Sequence, residues 1–238
     1  MNIGLLVSIV AGWLVGGAAN WAADHLPGYP TTPLRFRELF APTAWPHYWT
    51  LPWVWQRPAC PHCGAPRRWR ALLLELGMAA AFALTWLRLH SSPILVGIAW
   101  LYSAFLLVVL VIDLEHHRVL NVMTLPAAVA ALAFSLLPGT PTPVDALLGG
   151  ATGLGLFLVI FIIGRGKLGA GDVKLAGVIG LMVGYPYVTI ALMAGVVLGG
   201  LVALGLLALR RATRKSYMAY APYLALGALL ALWQSWGP

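Results

Sequence analysis

The feature that most constrains this chain is a series of apolar runs, several of them about 18 residues long or longer. A run of that length fits a helix that crosses a bilayer. The runs are continuous rather than alternating, which favours membrane helices over the strands of a membrane barrel. Only 9% of the residues are charged, whereas 61% are hydrophobic. The sequence therefore predicts an all-α, polytopic membrane protein with about eight transmembrane helices.

The apolar runs also predict the order of the helices and three domains. Residues 1–20 form the first transmembrane helix, 21–70 a cytoplasmic segment with a single CxxC, and 71–238 a seven-helix membrane domain. Asn121 is expected to cap the fourth helix, because asparagine is a favoured N-cap residue. The predicted helices cover residues 3–19, 71–89, 94–112, 122–137, 144–163, 172–183, 187–209 and 217–236.

The distribution of basic residues predicts the orientation in the membrane. The chain has 15 lysines and arginines and a formal net charge of +8. With eight spans, all of them except Arg88 fall on one side, and the positive-inside rule places that side in the cytoplasm. Both termini then lie outside. Because the basic residues are scattered over several short loops, membrane lipid is the expected partner and nucleic acid is not.

Two aspartates at the ends of apolar runs are the candidate functional residues. Asp113 closes the third run and Asp172 opens the sixth, so both are expected at cytoplasmic helix ends. Acids at the edge of lipid persist mainly where they face a bundle interior, water or a partner. Gly169 and Gly171 allow a tight turn and a close approach of another segment. Two carboxylates brought within about 3 Å share one proton, so one can activate a water while the other polarises a carbonyl.

The spacing of these residues leaves other interpretations open. Asp172 could simply cap a helix, where the dipole favours a negative charge, and Asp113 could pair with Arg118 or His117. A transporter that binds protons or cations at the two acids is another alternative. So is a membrane scaffold whose cytoplasmic segment docks a partner. Lys174 either tunes the charge of the acidic pair or anchors its helix at the interface.

The motifs resemble those of the bacterial type IV prepilin peptidases, which are GxGD-type aspartic proteases of the plasma membrane. The resemblance covers nearly the whole chain. The specific signal is Ile-Asp-Leu at 112–114 combined with Gly-x-Gly-Asp-Val-Lys at 169–174. The glycine-rich end of the first helix (16–20) and the Cys-Pro-His-Cys-Gly segment (60–64) also fit the family pattern.

The resemblance implies a function for these residues. It implies cleavage of the basic leader from prepilins or pseudopilins at the cytoplasmic face of the plasma (inner) membrane. Asp113 and Asp172 would be the catalytic dyad, with Gly169, Gly171 and Lys174 shaping and supporting the active-site turn. Proteolysis of this kind needs no cofactor. Many family members also methylate the new N-terminus with S-adenosylmethionine, and here that activity rests on the resemblance alone.

The cysteines depart from the family pattern. Members often carry two CxxC pairs, which could form a tetrahedral zinc site. This chain has two cysteines in all, Cys60 and Cys63, so one molecule cannot supply four thiolates. Zinc could still bind with a nearby histidine such as His62, or across a dimer. The alternative is a reduced cytosolic pair that only makes a turn.

Overall fold

The structure is a computed structural model that describes residues 3–28, 49, 69–164, 168–209 and 220–236. Within these ranges the chain forms eight α-helices, one short 3-10 turn at Leu26–Gly28 and no strand, which confirms the predicted all-α fold. The helices are α1 Ile3–His25, α2 Trp69–Leu89, α3 Pro93–His116, α4 Asn121–Phe134, α5 Pro143–Ile163, α6 Ala170–Val183, α7 Tyr187–Ala208 and α8 Ala221–Ser235.

The lengths of the helices support a multi-pass membrane protein. Within the described ranges, five stretches are long and apolar enough to cross a bilayer: Ile3–Gly28, Trp69–Leu89, Pro93–His116, Pro143–Ile163 and Tyr187–Ala208. Helices α4 and α6 have 14 residues and α8 has 15. At about 1.5 Å per residue, these three are shorter than a hydrocarbon core of about 30 Å. That they also cross the membrane stays a prediction.

Several helix boundaries differ from the sequence prediction: α3 continues to His116 rather than 112, α4 ends at Phe134 rather than 137, and α8 begins at Ala221 rather than 217. Helix α1 continues to His25, because Trp21 and Ala23 are buried and the Asn20 side chain donates to the Ala71 carbonyl at 3.2 Å. The prediction that Asn121 caps α4 is wrong. The N-cap position belongs to the preceding residue, which makes no side-chain cap.

The chain divides into two compact units, residues 1–111 and 112–238. In the first unit, α1 packs against α2 through glycines. A Cβ on Gly12 would lie 2.7 Å from the Met78 carbonyl oxygen, and one on Gly16 would lie 2.7 Å from the Glu75 Cα. Small residues at these positions let the two backbones approach closely. Glu75 is fully buried there and accepts a hydrogen bond from the Trp13 indole at 2.9 Å.

Helix α6 forms the centre of the second unit. Ten of its 14 residues are buried, and it contacts α4, α5, α7 and α8. A Cβ on Gly149 would overlap the Gly180 carbonyl, and one on Gly153 would overlap the Ala176 carbonyl. One residue number rises as the other falls, so α5 and α6 are antiparallel. The glycines allow the two backbones to pack in close contact. At the C-terminal end of α6, Gly184 has φ +71°, which glycine adopts readily. The predicted division at residues 20 and 70 stays a prediction.

Candidate active site

Asp113 lies in the last turn of α3 and is 4% exposed. The His117 N–H donates to the Asp113 carbonyl at 2.9 Å, and His117 has φ +52°, so the helix ends in a left-handed residue. The side chain of Asp113 is held by another helix, α8. Its Oδ2 accepts a hydrogen bond from the backbone N–H of Ala221, the first residue of α8, at 3.1 Å. The carboxylate therefore lies at a helix N-terminus, where the dipole stabilises negative charge.

Asp172 is the third residue of α6 and is 7% exposed. Its Oδ2 accepts from the Gly169 N–H at 3.2 Å, and its own N–H donates to the Gly169 carbonyl at 3.1 Å. The side chain thus makes the capping interaction expected of an acid at a helix start. Asp113 and Asp172 are both bound in this way, each to a backbone N–H at the beginning of a helix.

The two glycines before Asp172 have different structural requirements. Gly169 has φ −73° and ψ 139°, an extended conformation that any residue adopts. Gly171 lies inside the first turn of α6, where a Cβ would come within 2.9 Å of the Cβ of Val119. Val119 belongs to the connection between α3 and α4. The absence of a side chain at Gly171 therefore lets this connection lie directly against α6.

Both aspartates line one cavity of about 430 Å³ within the second unit. Their carboxyl groups lie close enough for the charges to interact. The walls come from the end of α3, the α3–α4 connection, and the starts of α4 and α6, together with the residue that precedes α8. The lining residues are Asp113, His117, Arg118, Val119, Leu120, Asn121, Gly169, Ala170, Gly171, Asp172 and Tyr220.

The hydrogen bonds leave part of each carboxylate available for chemistry. Oδ2 of Asp113 and Oδ2 of Asp172 each accept from a backbone N–H. Among the described residues, the two Oδ1 atoms have no hydrogen-bond partner. An ionised carboxylate accepts at both oxygens. Each carboxylate is therefore fixed through one oxygen, and both acids line the same cavity.

Lys174 lies on a different side of α6 from the cavity. Its side chain is exposed, and Nζ donates to Oδ1 of Asn121, at the start of α4, at 3.0 Å. This contact joins α4 to α6 beside the cavity. The residue lines a neighbouring apolar groove rather than the cavity that holds the aspartates.

Sequence reasoning missed two residues of the site, Tyr220 and Ala221. The Tyr220 ring lies 6.2 Å from the rings of Phe157 and Tyr223, which hold it at the cavity wall. Pro222 is typical of a first helical turn, so the sequence does indicate free backbone N–H groups near this point. Nothing in the sequence identifies Asp113, 108 positions away, as the acceptor for one of them.

The predicted zinc ligands Cys60 and Cys63 lie outside the described residues. Within the described ranges, no group of three or more histidine, cysteine, aspartate or glutamate side chains could hold a metal ion. The zinc site of the cysteine pair therefore stays a prediction.

Comparison with known proteins gives a consistent set of relatives. Residues 100–204 match the model of the type IV leader peptidase family. The prepilin leader peptidase/N-methyltransferase of Aeromonas hydrophila is 31% identical over 199 residues, which are 79% of this chain and 65% of that protein. The protein of the same name from Escherichia coli (strain K12) is 28% identical over 98% of this chain and 96% of its own length. The Bacillus subtilis (strain 168) protein is 29% identical over 76% and 73%.

The chain thus spans slightly less than two thirds of the length of the Aeromonas relatives. No solved structure matches it.

Proposed function

We propose that the chain is a member of the type IV leader peptidase family and an aspartic endopeptidase that removes the basic leader from type IV prepilins or pseudopilins. Its match to the family model over residues 100–204 and the prepilin leader peptidases among its relatives support this proposal. Asp113 and Asp172 are the catalytic pair in this proposal. The observation that carries it is their placement. Two nearly buried carboxylates from distant parts of the chain line one cavity, each fixed through Oδ2.

The chemistry follows from one proton shared by the two Oδ1 atoms. The ionised aspartate takes a proton from a water molecule, whose oxygen attacks the carbonyl carbon of the scissile peptide bond. The protonated aspartate gives its proton to the carbonyl oxygen, so no oxyanion is left uncompensated. The tetrahedral intermediate then collapses. The protonated aspartate gives its proton to the leaving amine nitrogen, and the C–N bond breaks. The other aspartate takes a proton from one hydroxyl of the tetrahedral intermediate as the carbonyl re-forms, so the pair again holds one proton.

Backbone groups at two helix starts keep the carboxylates in place during these steps. The N–H groups of Gly169 and Ala221 hold Oδ2 of Asp172 and of Asp113 whichever aspartate carries the proton. Fixed donors of this kind need no reorganisation as charge moves between the two groups. Gly171 supports the arrangement by allowing the α3–α4 connection to pack against α6.

The proposal also includes the orientation of the protein in the membrane and the methylation of the cleaved product. The basic loops favour the plasma (inner) membrane, with both termini outside and the cavity facing the cytoplasm. The names of the relatives also include N-methyltransferase. Methylation of the new N-terminus with S-adenosylmethionine is therefore proposed from the names of the relatives alone.

The test is cleavage of a prepilin by the purified protein, followed by mass spectrometry for loss of the leader and any gain of a methyl group. Asp113→Asn and Asp172→Asn should each lower kcat/KM by at least about 10³-fold while the thermal melting curve stays that of a folded protein. Asp145→Asn is the matched control. Asp145 also lies in the first turn of a helix, where it accepts from Thr142, but it does not line the cavity.

Two outcomes would reject the assignment. Normal cleavage by Asp113→Asn or by Asp172→Asn would show that the pair is not catalytic. A wild-type protein that cleaves no prepilin but moves protons or cations across vesicles would favour the transporter alternative.

A further inference from the structure

A second concave surface adjoins the catalytic cavity. It is a groove of about 490 Å³ between α4, α5 and α6, and its lining is apolar except at one end. That end is formed by Asn121 and Lys174, which are joined by the hydrogen bond of 3.0 Å. Asn121 lines both the groove and the catalytic cavity. The two concavities therefore share a wall at the start of α4.

The groove extends away from the cavity along α6. Its lining on that helix runs from Lys174 to Leu181, a rise of about 10 Å. Gly150 and Gly177 contribute no side chains, and the walls are formed by exposed leucines such as Leu125 on α4 and Leu154 on α5. The volume is within the usual range of binding pockets, about 300–1,000 Å³.

The position of the groove restricts what can fill it. A segment that lies among lipid-facing helices must satisfy its own backbone hydrogen bonds, so an occupying peptide has to be helical. A helix carries side chains at i, i+3 or i+4, and i+7 on one face, which covers about 10 Å. Such a face matches the length of the groove. Because Asn121 lines both the groove and the cavity that holds the aspartates, a helix seated in the groove would end beside the catalytic cavity.

We propose that this groove, which we call the α4–α6 groove, docks the apolar helix of the precursor that adjoins the scissile bond. The inference rests on the proposed function, since it requires a substrate that is cleaved at the two aspartates. The helix side chains fill the space between Leu125 and Leu154. The Lys174–Asn121 pair marks the point where the substrate leaves the helix and enters the cavity as an extended chain.

The first experiment fills the groove and compares two substrates of the full-length enzyme. One is a complete precursor, and the other is a short peptide with the same leader junction but no apolar helix. Ala151, an exposed groove residue on α5, is changed to Trp. We expect the ratio of kcat/KM for precursor to that for peptide to fall at least tenfold. Ala133→Trp, at an exposed alanine on α4 outside the groove, should keep this ratio within about twofold of wild type. An unchanged ratio in Ala151→Trp, or an equal fall in Ala133→Trp, overturns the proposal.

The second experiment does not depend on turnover. A photo-reactive amino acid replaces Leu125 in the Asp172→Asn background, and the variant is irradiated with the precursor in phospholipid vesicles. We expect crosslinks to the apolar helix of the precursor. Crosslinks to phospholipid only would show that the groove is a lipid site and overturn the docking proposal, even in an enzyme that cleaves prepilin. Crosslinks to the helix in a protein whose wild-type form cleaves nothing would keep the groove and reject the proposed reaction.

Discussion

Gly171→Ala tests whether the close contact between α6 and the α3–α4 connection shapes the catalytic cavity. The substitution adds one methyl group inside a helix, where alanine is intrinsically preferred over glycine by up to about 1 kcal/mol. The new Cβ would lie 2.9 Å from the Val119 Cβ, whereas ordinary contacts begin at 3.4 Å. The contact must therefore open, and restoring an ordinary contact requires a displacement of about 0.5 Å (3.4 − 2.9). Val119 also lines the cavity that holds the two aspartates, so this displacement moves one wall of the site.

The expected effect is on catalysis more than on stability. A misplacement of about 1 Å can cost about 10²-fold in rate, so a shift of half that size or more should lower kcat/KM by about 10- to 100-fold. Overpacking costs about 1–3 kcal/mol, and the helix preference of alanine offsets part of that. The melting temperature should therefore fall only slightly.

The assay is prepilin cleavage by Gly171→Ala beside the control Gly155→Ala. A Cβ on Gly155 meets nothing within 4 Å, and this residue lies on α5 outside the cavity. The control should keep wild-type kcat/KM. The reasoning is refuted if Gly171→Ala cleaves as fast as wild type, or if both variants lose activity to the same extent.

Three further predictions concern the charge and packing of the same unit. A plot of kcat/KM for cleavage against pH should be bell-shaped. Activity needs one proton on the pair and is lost when both aspartates are protonated or both are ionised. A plot with a single sigmoidal step would contradict proton sharing. Lys174→Gln should keep the shape of that profile, because Nζ donates to Asn121 rather than to either carboxylate; a displaced profile would show that Lys174 acts on the pair. Gly180→Ala should lower the free energy of unfolding by about 1–3 kcal/mol in thermal melts, because its Cβ would overlap the Gly149 carbonyl. Gly200→Ala, where a Cβ meets nothing within 4 Å, should not be destabilised, and equal losses would argue against the close α5–α6 packing.

The helices could be predicted from the sequence because each one is a long apolar run that ends at polar, glycine or proline residues. The end of α6 is an example, since Gly184 and Pro186 predict the stop that the structure shows. The beginning of α4 could not be predicted in the same way. Asn121 has the usual chemistry of an N-cap, but a tertiary contact with Lys174 engages its side chain instead.

The acids of the candidate site were visible in the sequence, whereas the groups that hold them were not. Asp113 and Asp172 are conspicuous because charge is rare at the edge of an apolar run. The Ala221 N–H that binds Asp113 is a backbone group, and any residue other than proline could supply it. The groove beside the cavity is equally hidden, because leucine, alanine and glycine at these positions are also what lipid-facing and packed helices require.

The most direct test of the central claim, that Asp113 and Asp172 act as one catalytic unit, is kcat/KM for Asp113→Asn, Asp172→Asn and the double variant in the same cleavage assay. Residues that act together are strongly non-additive, so the double variant should be no more than about threefold worse than the poorer single variant. Losses that multiply in the double variant, or a single variant that keeps most of its activity, would contradict the shared-proton pair.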